Sequence, residues 1–208
     1  MKLHVTPPSP RAFKVVAVLH HLGLEAELAV MDLVKGDQLK PEFIALNPNH
    51  RMPVLEDDGL VLWESNAIMQ YLASKRPESG LWPSDPKRQA DVSRWQCWEL
   101  AHWERACSTL LFERFVKGIF GEGDPDPHEV ARGEREFHEF AHVLDQHLRS
   151  RDWLVDRTLT LADVSVGCWL TCAQLGHYPL DEYREIARWY GNLEALPAWR
   201  KAMVAPPA

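Results

Sequence analysis

Thiols and basic residues are both scarce in this sequence, and each shortage excludes a class of protein. The 208 residues include four cysteines and carry a formal net charge of −7. Cys97, Cys107, Cys168 and Cys172 have neither the paired spacing of a metal-binding knuckle nor the density of a disulfide framework. We therefore expect a reducing, cytoplasmic location. The acidic balance argues against a general nucleic-acid binder, although it leaves room for local basic pockets.

Long hydrophobic runs are also missing. No apolar segment approaches membrane-spanning length, and the chain does not start with an apolar signal segment. Cys168 and Cys172 lie four residues apart in an apolar stretch, which predicts that both pack on one face of a helix. Tryptophan is plentiful, with nine residues, and the length allows one or two domains with an ample core.

The order of secondary-structure signals changes near residue 76. Before that point, strand and helix signals alternate as β-α-β-α-β-β-α, which predicts a mixed sheet with helices packed on it. Residues 76–86 are rich in Pro, Gly and Ser and are typical of a linker. Strand signals then vanish, so residues 87–208 are expected to form an all-helical domain. The predicted fold is therefore α/β plus all-α, with a first domain at residues 1–75.

Apolar spacing and turn residues predict the individual helices. In the first domain one helix follows Ser9 and stops at Gly23, a short one covers residues 41–46, and a third starts at Ser65. In the second domain the expected helices cover residues 87–120, residues 128–148, a segment after Thr160, residues 181–190 and a short segment from Pro197.

The most informative stretch runs from Asn47 to Ile68. A loop and a proline lead into two short apolar runs, and the Asp58-Gly59 pair between them predicts a β-hairpin. Glu64 and Ser65 then stand at a helix start, where Ser65 is expected to be the N-cap. A carboxylate, a hydroxyl and free backbone N–H groups can together bind a small zwitterionic ligand.

This stretch resembles the glutathione-binding half of the glutathione S-transferase family. The two-part layout resembles the same family, and so do the possible capping box from Thr160 to Asp163 and the C-terminal segments 189–193 and 196–199. The resemblance implies a thioredoxin-like first domain, a helical second domain and a cytosolic enzyme of the serine type, similar to bacterial, phi-like or theta-like members.

The first βα turn carries Ser9 and Pro10, where redox relatives carry Cys-x-x-Cys, so disulfide exchange is not expected. Pro10 suits the first helical position, which predicts Ser9 as the N-cap. The resemblance implies a further role, because serine-type transferases hold their active hydroxyl at this turn. Ser9 is therefore the candidate that activates the glutathione thiol, with Thr6 as the alternative. The two roles of Ser9 are compatible, since a helix N-terminus provides a positive field.

The resemblance also implies which groups hold glutathione. The family's cis proline falls on Pro53, where sequence alone favours trans, and the backbone of Met52 would pair with the cysteinyl part. Glu64 would meet the ammonium of the γ-glutamyl end, and Ser65 would meet its α-carboxylate. The alternative is a helix cap with an acidic neighbour.

The glycyl end of glutathione has several candidate partners. Arg51 stands where some relatives carry Gln, and it is either a partner of the glycyl carboxylate or a solvated loop charge. Gln38 and Lys40 lie in the region where serine-type relatives present His and Lys. This sequence departs from that pattern, and Lys40 is the preferred substitute.

The aromatic residues of the long second-domain helix have two interpretations. They can wall an apolar pocket for an electrophile, or they can form core and interface, because one helix cannot aim all of them one way. Four residues are candidates for a substrate pocket by their position along the helix: Trp103, Ser108, Leu111 and Phe112.

Residues 138–142 match the H-E-x-x-H signature of zinc metalloproteases. His138 and His142 can share a helix face and bind Zn²⁺, with Glu139 as the base. The extended signature fails, because Leu148 stands where its last His is expected. A polar helix face is therefore the preferred interpretation, and no metal is expected.

These observations predict a glutathione transferase that ionises the thiol of its co-substrate, glutathione, for attack on a small apolar electrophile. Conjugation, peroxide reduction, dehalogenation and isomerisation all fit this chemistry. A homodimer is expected, without nucleic-acid or membrane partners. The main alternative is a non-enzymatic interaction protein on the same fold, and a zinc hydrolase is the weaker one.

Overall fold

The computed structural model describes residues 1–204, and the chain divides into two compact units. The first unit comprises Met1–Trp82 together with the segment that begins at Ala195, and the second comprises Pro83–Glu194. The division after Trp82 falls inside the segment predicted to be a linker.

A four-stranded mixed sheet lies in the first unit. Its strands are β1 (Lys2–Val5), β2 (Glu27–Val30), β3 (Val54–Asp57) and β4 (Leu60–Trp63). They are ordered β2-β1-β3-β4, with β1 parallel to β2 and the other two pairings antiparallel. The mixed sheet predicted for this region is confirmed.

Three helices accompany the sheet: α1 (Pro10–His21), α2 (Pro41–Leu46) and α3 (Ser65–Ser74). The start of α1 follows the predicted chemistry, because Pro10 occupies its first turn and Ser9 is its N-cap. Its end also follows the prediction, since Gly23 adopts a φ of 62° and the N–H of Leu24 donates to the carbonyl of Leu19 at 3.0 Å.

The turn between β3 and β4 is the hairpin that the Asp-Gly pair predicted. Asp58 and Gly59 both have positive φ, at 49° and 82°, as a type I′ turn requires. The two strands pair from Asp57 opposite Leu60 to Val54 opposite Trp63.

The two faces of β1 bury different groups. Leu3 and Val5 are at most 2% exposed and belong to the main core of this unit. His4 points to the opposite face, as strand alternation requires, and its ring lies 5.7 Å from the ring of Phe43 in α2. Its Nε2 lies 2.7 Å from a carboxylate oxygen of the half-buried Glu56 in β3, so the α2 side of the sheet contains a partly buried polar pair.

Every regular element in residues 83–194 is helical. The α-helices are α4 (Pro86–Trp98), α5 (Glu104–Leu111), α6 (Lys117–Ile119), α7 (Pro127–Leu148), α8 (Leu161–Gly167), α9 (Ala173–Gly176) and α10 (Arg184–Glu194). Turns of π-helix at Glu99–Trp103 and Phe112–Val116 join the first three, so residues 86–119 form the continuous helix that was predicted.

Two predictions for this unit are wrong. The helix expected from residue 181 begins at Arg184, where the N–H groups of Glu185 and Ile186 donate to Asp145 of α7 at 2.9 and 3.2 Å. A cap supplied by a distant helix leaves no local signal in the sequence. The segment Cys168–Cys172 is a 3₁₀ turn rather than part of an α-helix, although both cysteines are buried as expected.

The core of the second unit forms where α5 packs against α7. Gly133 makes this approach possible, because a Cβ at that position would lie 2.9 Å from Cδ2 of Leu110. The rings of Trp103 and Phe137, both fully buried, lie 4.9 Å apart nearby. A glycine in mid-helix lowers helix propensity, and here close packing offsets that cost.

The last helix, α11 (Pro197–Met203), groups with the first unit rather than with the helical domain to which the sequence assigned it. It packs on α1, where the rings of Phe13 and Trp199 meet edge to face at 4.7 Å. Trp199 is 2% exposed, so the burial of one large aromatic explains the docking of this short helix.

Candidate functional site

The register of the sheet brings several loops to one end of the first unit. His4 pairs with Val54, and Val54 pairs with Trp63, so the chain leaves β1, enters β3 and leaves β4 at the same edge. Val30 lies opposite Val5 in the parallel pair, so the segment after β2 starts there as well. Four groups of predicted site residues follow or precede these strand ends: Ser9, Met52 with Pro53, Glu64 with Ser65, and Gln38 with Lys40.

Ser9 occupies the turn after β1 as predicted. Its hydroxyl accepts from the N–H of Ala12 at 3.4 Å, and its own N–H donates to the carbonyl of Thr6 at 3.0 Å. The cap bond is long, and the side chain is only half-buried. The hydroxyl therefore retains its proton as a donor for a neighbouring anion, and it lies in the positive field of the α1 N-terminus.

The loop before β3 contains the expected cis peptide bond, between Met52 and Pro53. Pro53 is buried and Met52 is half-buried. Asn47, which is 2% exposed, braces the loop by donating from its side-chain amide to the carbonyl of Arg51 at 2.7 Å. The backbone of Met52 is thus held by a buried asparagine next to the edge where the chain enters the sheet.

The start of α3 differs from the prediction for Ser65. Glu64 is the N-cap residue, with a positive φ of 71° and a ψ of 111°, and Ser65 is the first residue of the helix. The side chain of Glu64 makes no capping hydrogen bond to this helix. Positive φ is uncommon for a residue with a side chain, and it turns the exposed Glu64 out of the strand as the helix begins. The prediction that Ser65 is the N-cap is therefore wrong.

The segment after β2 contains the two remaining candidates. Lys40 forms an ion pair with Asp37 at 2.6 Å, and this hydrogen bond lowers the pKa of Asp37 and raises that of Lys40. The side-chain amide nitrogen of Gln38 donates to the carbonyl of Leu33 at 3.5 Å. Its buried oxygen Oε1 has no hydrogen-bond partner among residues 1–204.

His50 is a candidate that the sequence interpretation missed. It is half-buried, has a φ of 55° and donates its N–H to the carbonyl of Asn47 at 3.0 Å, directly before Arg51 and Met52. A signal was present, since an imidazole in the loop that precedes the cis proline is a possible donor to an anion.

The substrate-pocket candidates of the second unit divide into two groups. Trp103 is fully buried and donates from Nε1 to the carbonyl of Val166 at 3.1 Å, so it is a core residue and the pocket role predicted for it is wrong. Leu111 is 7% exposed and Phe112 is 39% exposed, while the half-buried Ser108 donates to the carbonyl of Arg105.

The H-E-x-x-H match does not coincide with a metal-ligand cluster in the part of the chain that the structure describes. Nδ1 of His138 lies 2.7 Å from the hydroxyl of Tyr183, and Nε2 of His142 lies 2.7 Å from the amide nitrogen of Gln146. Each imidazole thus has a protein partner, as in an ordinary polar helix face.

Comparison with known proteins agrees with this arrangement. Residues 1–74 match the family model for the glutathione S-transferase N-terminal domain, and residues 105–197 match the model for its C-terminal domain. The chain belongs to the glutathione S-transferase family. The family and the fold class expected from the sequence are thereby confirmed.

Individual relatives match over nearly the whole chain. A glutathione S-transferase from Hyoscyamus muticus is 32% identical, with 98% of this chain and 97% of the relative covered. Glutathione S-transferase D7 from Drosophila melanogaster is 30% identical, covering 97% and 88%. The structure of Ure2p in complex with glutathione aligns with a TM-score of 0.87 and 25% identity, over 97% of this chain and 96% of that chain.

No helix within residues 1–204 is both long enough and apolar enough to cross a bilayer.

Proposed function

We propose that the protein is a glutathione transferase that binds glutathione at the end of the sheet in the first unit. There it presents the ionised thiol to a small apolar electrophile. The observation that carries the proposal is the register of the sheet, which gathers a helix-capping hydroxyl, a cis-proline loop and an open helix start. Family membership supports the same function, and one structural neighbour was solved with glutathione bound.

The γ-glutamyl end of glutathione matches the start of α3. The exposed carboxylate of Glu64 accepts hydrogen bonds from the ammonium group, and the first N–H groups of α3 donate to the α-carboxylate. Ser65 adds a hydroxyl at the same point. Because Glu64 makes no capping hydrogen bond, the α-carboxylate of the ligand would take the place of a cap. Next to it, the backbone of Met52, ahead of Pro53, pairs with the cysteinyl part.

The glycyl carboxylate needs a cation or a hydrogen-bond donor. The candidates differ in whether their side chains already have partners in the protein. Arg51 is exposed and makes no ion pair within residues 1–204, so its charge is available. Lys40 already pairs with Asp37, which weakens its candidacy. His50 and Gln38 are secondary donors. We therefore assign the glycyl end to Arg51 first, which revises the preference for Lys40.

Ser9 is the residue that promotes ionisation of the glutathione thiol. A free thiol has a pKa of about 8.5 and is only a few per cent ionised at neutral pH. Lowering the thiol pKa by about two units makes the thiolate dominant and requires about 2.7 kcal/mol of differential stabilisation. The Ser9 hydroxyl and the N-terminus of α1 together provide a donor and a positive field for that anion.

The proposal extends to the second unit and to assembly. Ser108, Leu111 and Phe112 are the candidates that contact the electrophile. We also propose a cytoplasmic homodimer built from chains with two domains. An exposed apolar stretch supports the dimer: Leu60, Val61 and Trp63 on the edge strand β4 are each 39–41% exposed, which a second chain would cover.

The test compares wild-type protein with Ser9→Ala and with the control Ser84→Ala, which changes an exposed serine. Retention on immobilised glutathione measures binding, and ultraviolet absorbance of the bound thiolate against pH measures its pKa. We expect all three proteins to bind, with the bound-thiol pKa raised towards the free value in Ser9→Ala alone. Turnover of that variant at neutral pH should fall and recover partly at higher pH.

Two other outcomes contradict parts of the proposal. Coincident titration curves for wild type and Ser9→Ala would reduce Ser9 to a helix cap and make Thr6 the next candidate. Wild-type protein that is not retained on glutathione would favour a non-enzymatic interaction protein on the same fold.

A further inference from the structure

A buried lysine lies directly behind the candidate glutathione site. Lys14 is 0% exposed and is one of the largest fully buried side chains of the protein. It lies on α1, five residues after Ser9, or about 7 Å along the helix axis. An ammonium group removed from water is costly unless strong hydrogen bonds or opposite charges compensate it. Such a group therefore has defined partners, and their identity indicates what it holds in place.

One partner of Lys14 lies at the start of α3. Nζ of Lys14 donates to Oδ1 of Asn66 at 2.9 Å, and the two residues are 52 positions apart in sequence. Asn66 is 8% exposed and directly follows Ser65, which is 3% exposed. The bond is thus a buried, charge-assisted link between α1 and the first turn of α3.

The two helices joined by this bond carry the two halves of the candidate site. Ser9 caps α1, and Glu64 and Ser65 begin α3. The two helices also pack directly against each other. A directional hydrogen bond between a defined donor and a defined acceptor fixes the relative position of the two helix starts.

We propose that Lys14 is a positioning residue for the glutathione site, which acts through Asn66 to hold the γ-glutamyl-binding start of α3 in register with Ser9. The inference rests on the proposed function and goes beyond it, since Lys14 does not contact the ligand. Holding the Ser9 hydroxyl in register with bound glutathione favours its ionised thiol.

The test is a double-mutant cycle with Lys14→Met and Asn66→Leu. Methionine approximates the length of the lysine stem and removes the charge and the donor. Leucine removes the acceptor at similar size. Calorimetry with reduced glutathione measures affinity, thiolate absorbance measures the bound-thiol pKa, and thermal melts select the temperature at which every variant is folded. Val18→Ala, which trims a fully buried apolar side chain of α1, is the control for general destabilisation.

We expect each single variant to weaken glutathione binding about tenfold, the equivalent of 1.4 kcal/mol, and the double variant to be little worse than either single one. The bound-thiol pKa should rise in Lys14→Met. Val18→Ala should lower the melting temperature and keep wild-type affinity. Should Lys14→Met fail to fold, Asn66→Leu and Asn66→Asp separate the roles, because aspartate restores a charged acceptor and should restore affinity.

Three results would overturn the inference: wild-type affinity and thiol pKa in folded Lys14→Met, additive losses in the double variant, or weakened binding in Asn66→Asp. These results differ from failure of the proposed function, in which wild-type protein itself does not bind glutathione.

Discussion

Two helices of this protein begin with the same chemistry, a hydroxyl and a carboxylate, and the surrounding protein treats the two starts in opposite ways. At α8 the Asp163 carboxylate accepts four hydrogen bonds, from the N–H of Leu154, the N–H and hydroxyl of Thr160, and Nε1 of Trp189. At α3 Glu64 is exposed, and its side chain makes no capping hydrogen bond. Both Thr160 and Asp163 are 0% exposed.

The difference shows how one type of motif serves stability at one place and binding at another. At α8 the donors are satisfied inside the protein, so nothing is left for a ligand. At α3 the Glu64 carboxylate makes no capping hydrogen bond and remains exposed at the end of the sheet. A helix start that the protein leaves uncapped is a place where an anion gains the hydrogen bonds that a cap would otherwise make.

The largest effect is expected at the start of α8, where Asp163 satisfies the donors inside the protein. Asp163→Ala leaves three buried N–H donors without an acceptor, on Leu154, Thr160 and Trp189, and should lower the free energy of unfolding by about 3–5 kcal/mol. Chemical denaturation measures the loss. Asp152→Ala is the control, because Asp152 makes an exposed ion pair with Arg188 at 2.9 Å and should change stability by less than about 1 kcal/mol. Equal losses in the two variants would contradict the comparison.

The next prediction concerns the pH dependence of the same carboxyl. Burial raises the pKa of Asp163 from 3.8 to about 6, although four hydrogen bonds oppose the shift. Between these values the folded protein holds a proton that the unfolded chain releases, so the free energy of unfolding falls as pH rises. The stability that Asp163 contributes relative to Asp163→Asn should therefore decrease by about 2 kcal/mol between pH 4 and pH 6, out of about 3 kcal/mol over the whole titration.

The difference in unfolding free energy between wild type and Asp163→Asn reports on the Asp163 carboxyl alone. The pKa of Asp57 is lowered by the hydrogen bond from Lys75, and such carboxyls act with the opposite sign. Their contribution cancels because both proteins contain them. Denaturation curves measured over this pH range would contradict the prediction if the advantage of wild type grew as the pH rose.

Much of the fold could be predicted from local sequence. The short helix Pro41–Leu46 and the Asp58-Gly59 hairpin depend on proline position and turn chemistry, which act within a few residues. The start of α10 at Arg184 and the docking of α11 through Trp199 could not be predicted, because Asp145 and Phe13, which determine them, are distant in sequence.

The candidate site was predictable in its residues but not in its geometry. Ser9, Pro53 and Glu64 came from a family resemblance, since residue spacing cannot show which strands are neighbours. The positive φ of Glu64 has no sequence signal of the kind that a glycine gives. The contact between Lys14 and Asn66 likewise depends on how α1 and α3 pack.

A smaller effect, on glutathione binding, is expected from changes at the start of α3. Glu64→Gln or Ser65→Ala should weaken glutathione binding by about 1.5–3 kcal/mol, or about 10- to 100-fold, because a charge-assisted hydrogen bond is lost. Glu78 and Ser79 form a chemically identical pair in the first unit, beyond the far end of α3, so Glu78→Gln and Ser79→Ala are the matched controls. Calorimetry that shows wild-type affinity in both Glu64→Gln and Ser65→Ala would remove the assignment.

The smallest predicted effect compares two serines at helix starts for stability alone. Ser9→Ala removes a cap whose bond from the N–H of Ala12 is 3.4 Å long, so the expected loss is about 0.5–1 kcal/mol, at the low end for caps. Ser65→Ala removes a hydroxyl that is already inside the helix, and alanine has the higher helix propensity, so the change should stay within about 0.5 kcal/mol. Thermal melts without glutathione measure both. With the same excess of glutathione the order should reverse, because ligand stabilisation grows with the logarithm of affinity and Ser65→Ala binds glutathione more weakly. A Ser65→Ala variant as destabilised as Ser9→Ala without ligand would mean that Ser65 is a structural cap, and the contrast between α3 and α8 would fail.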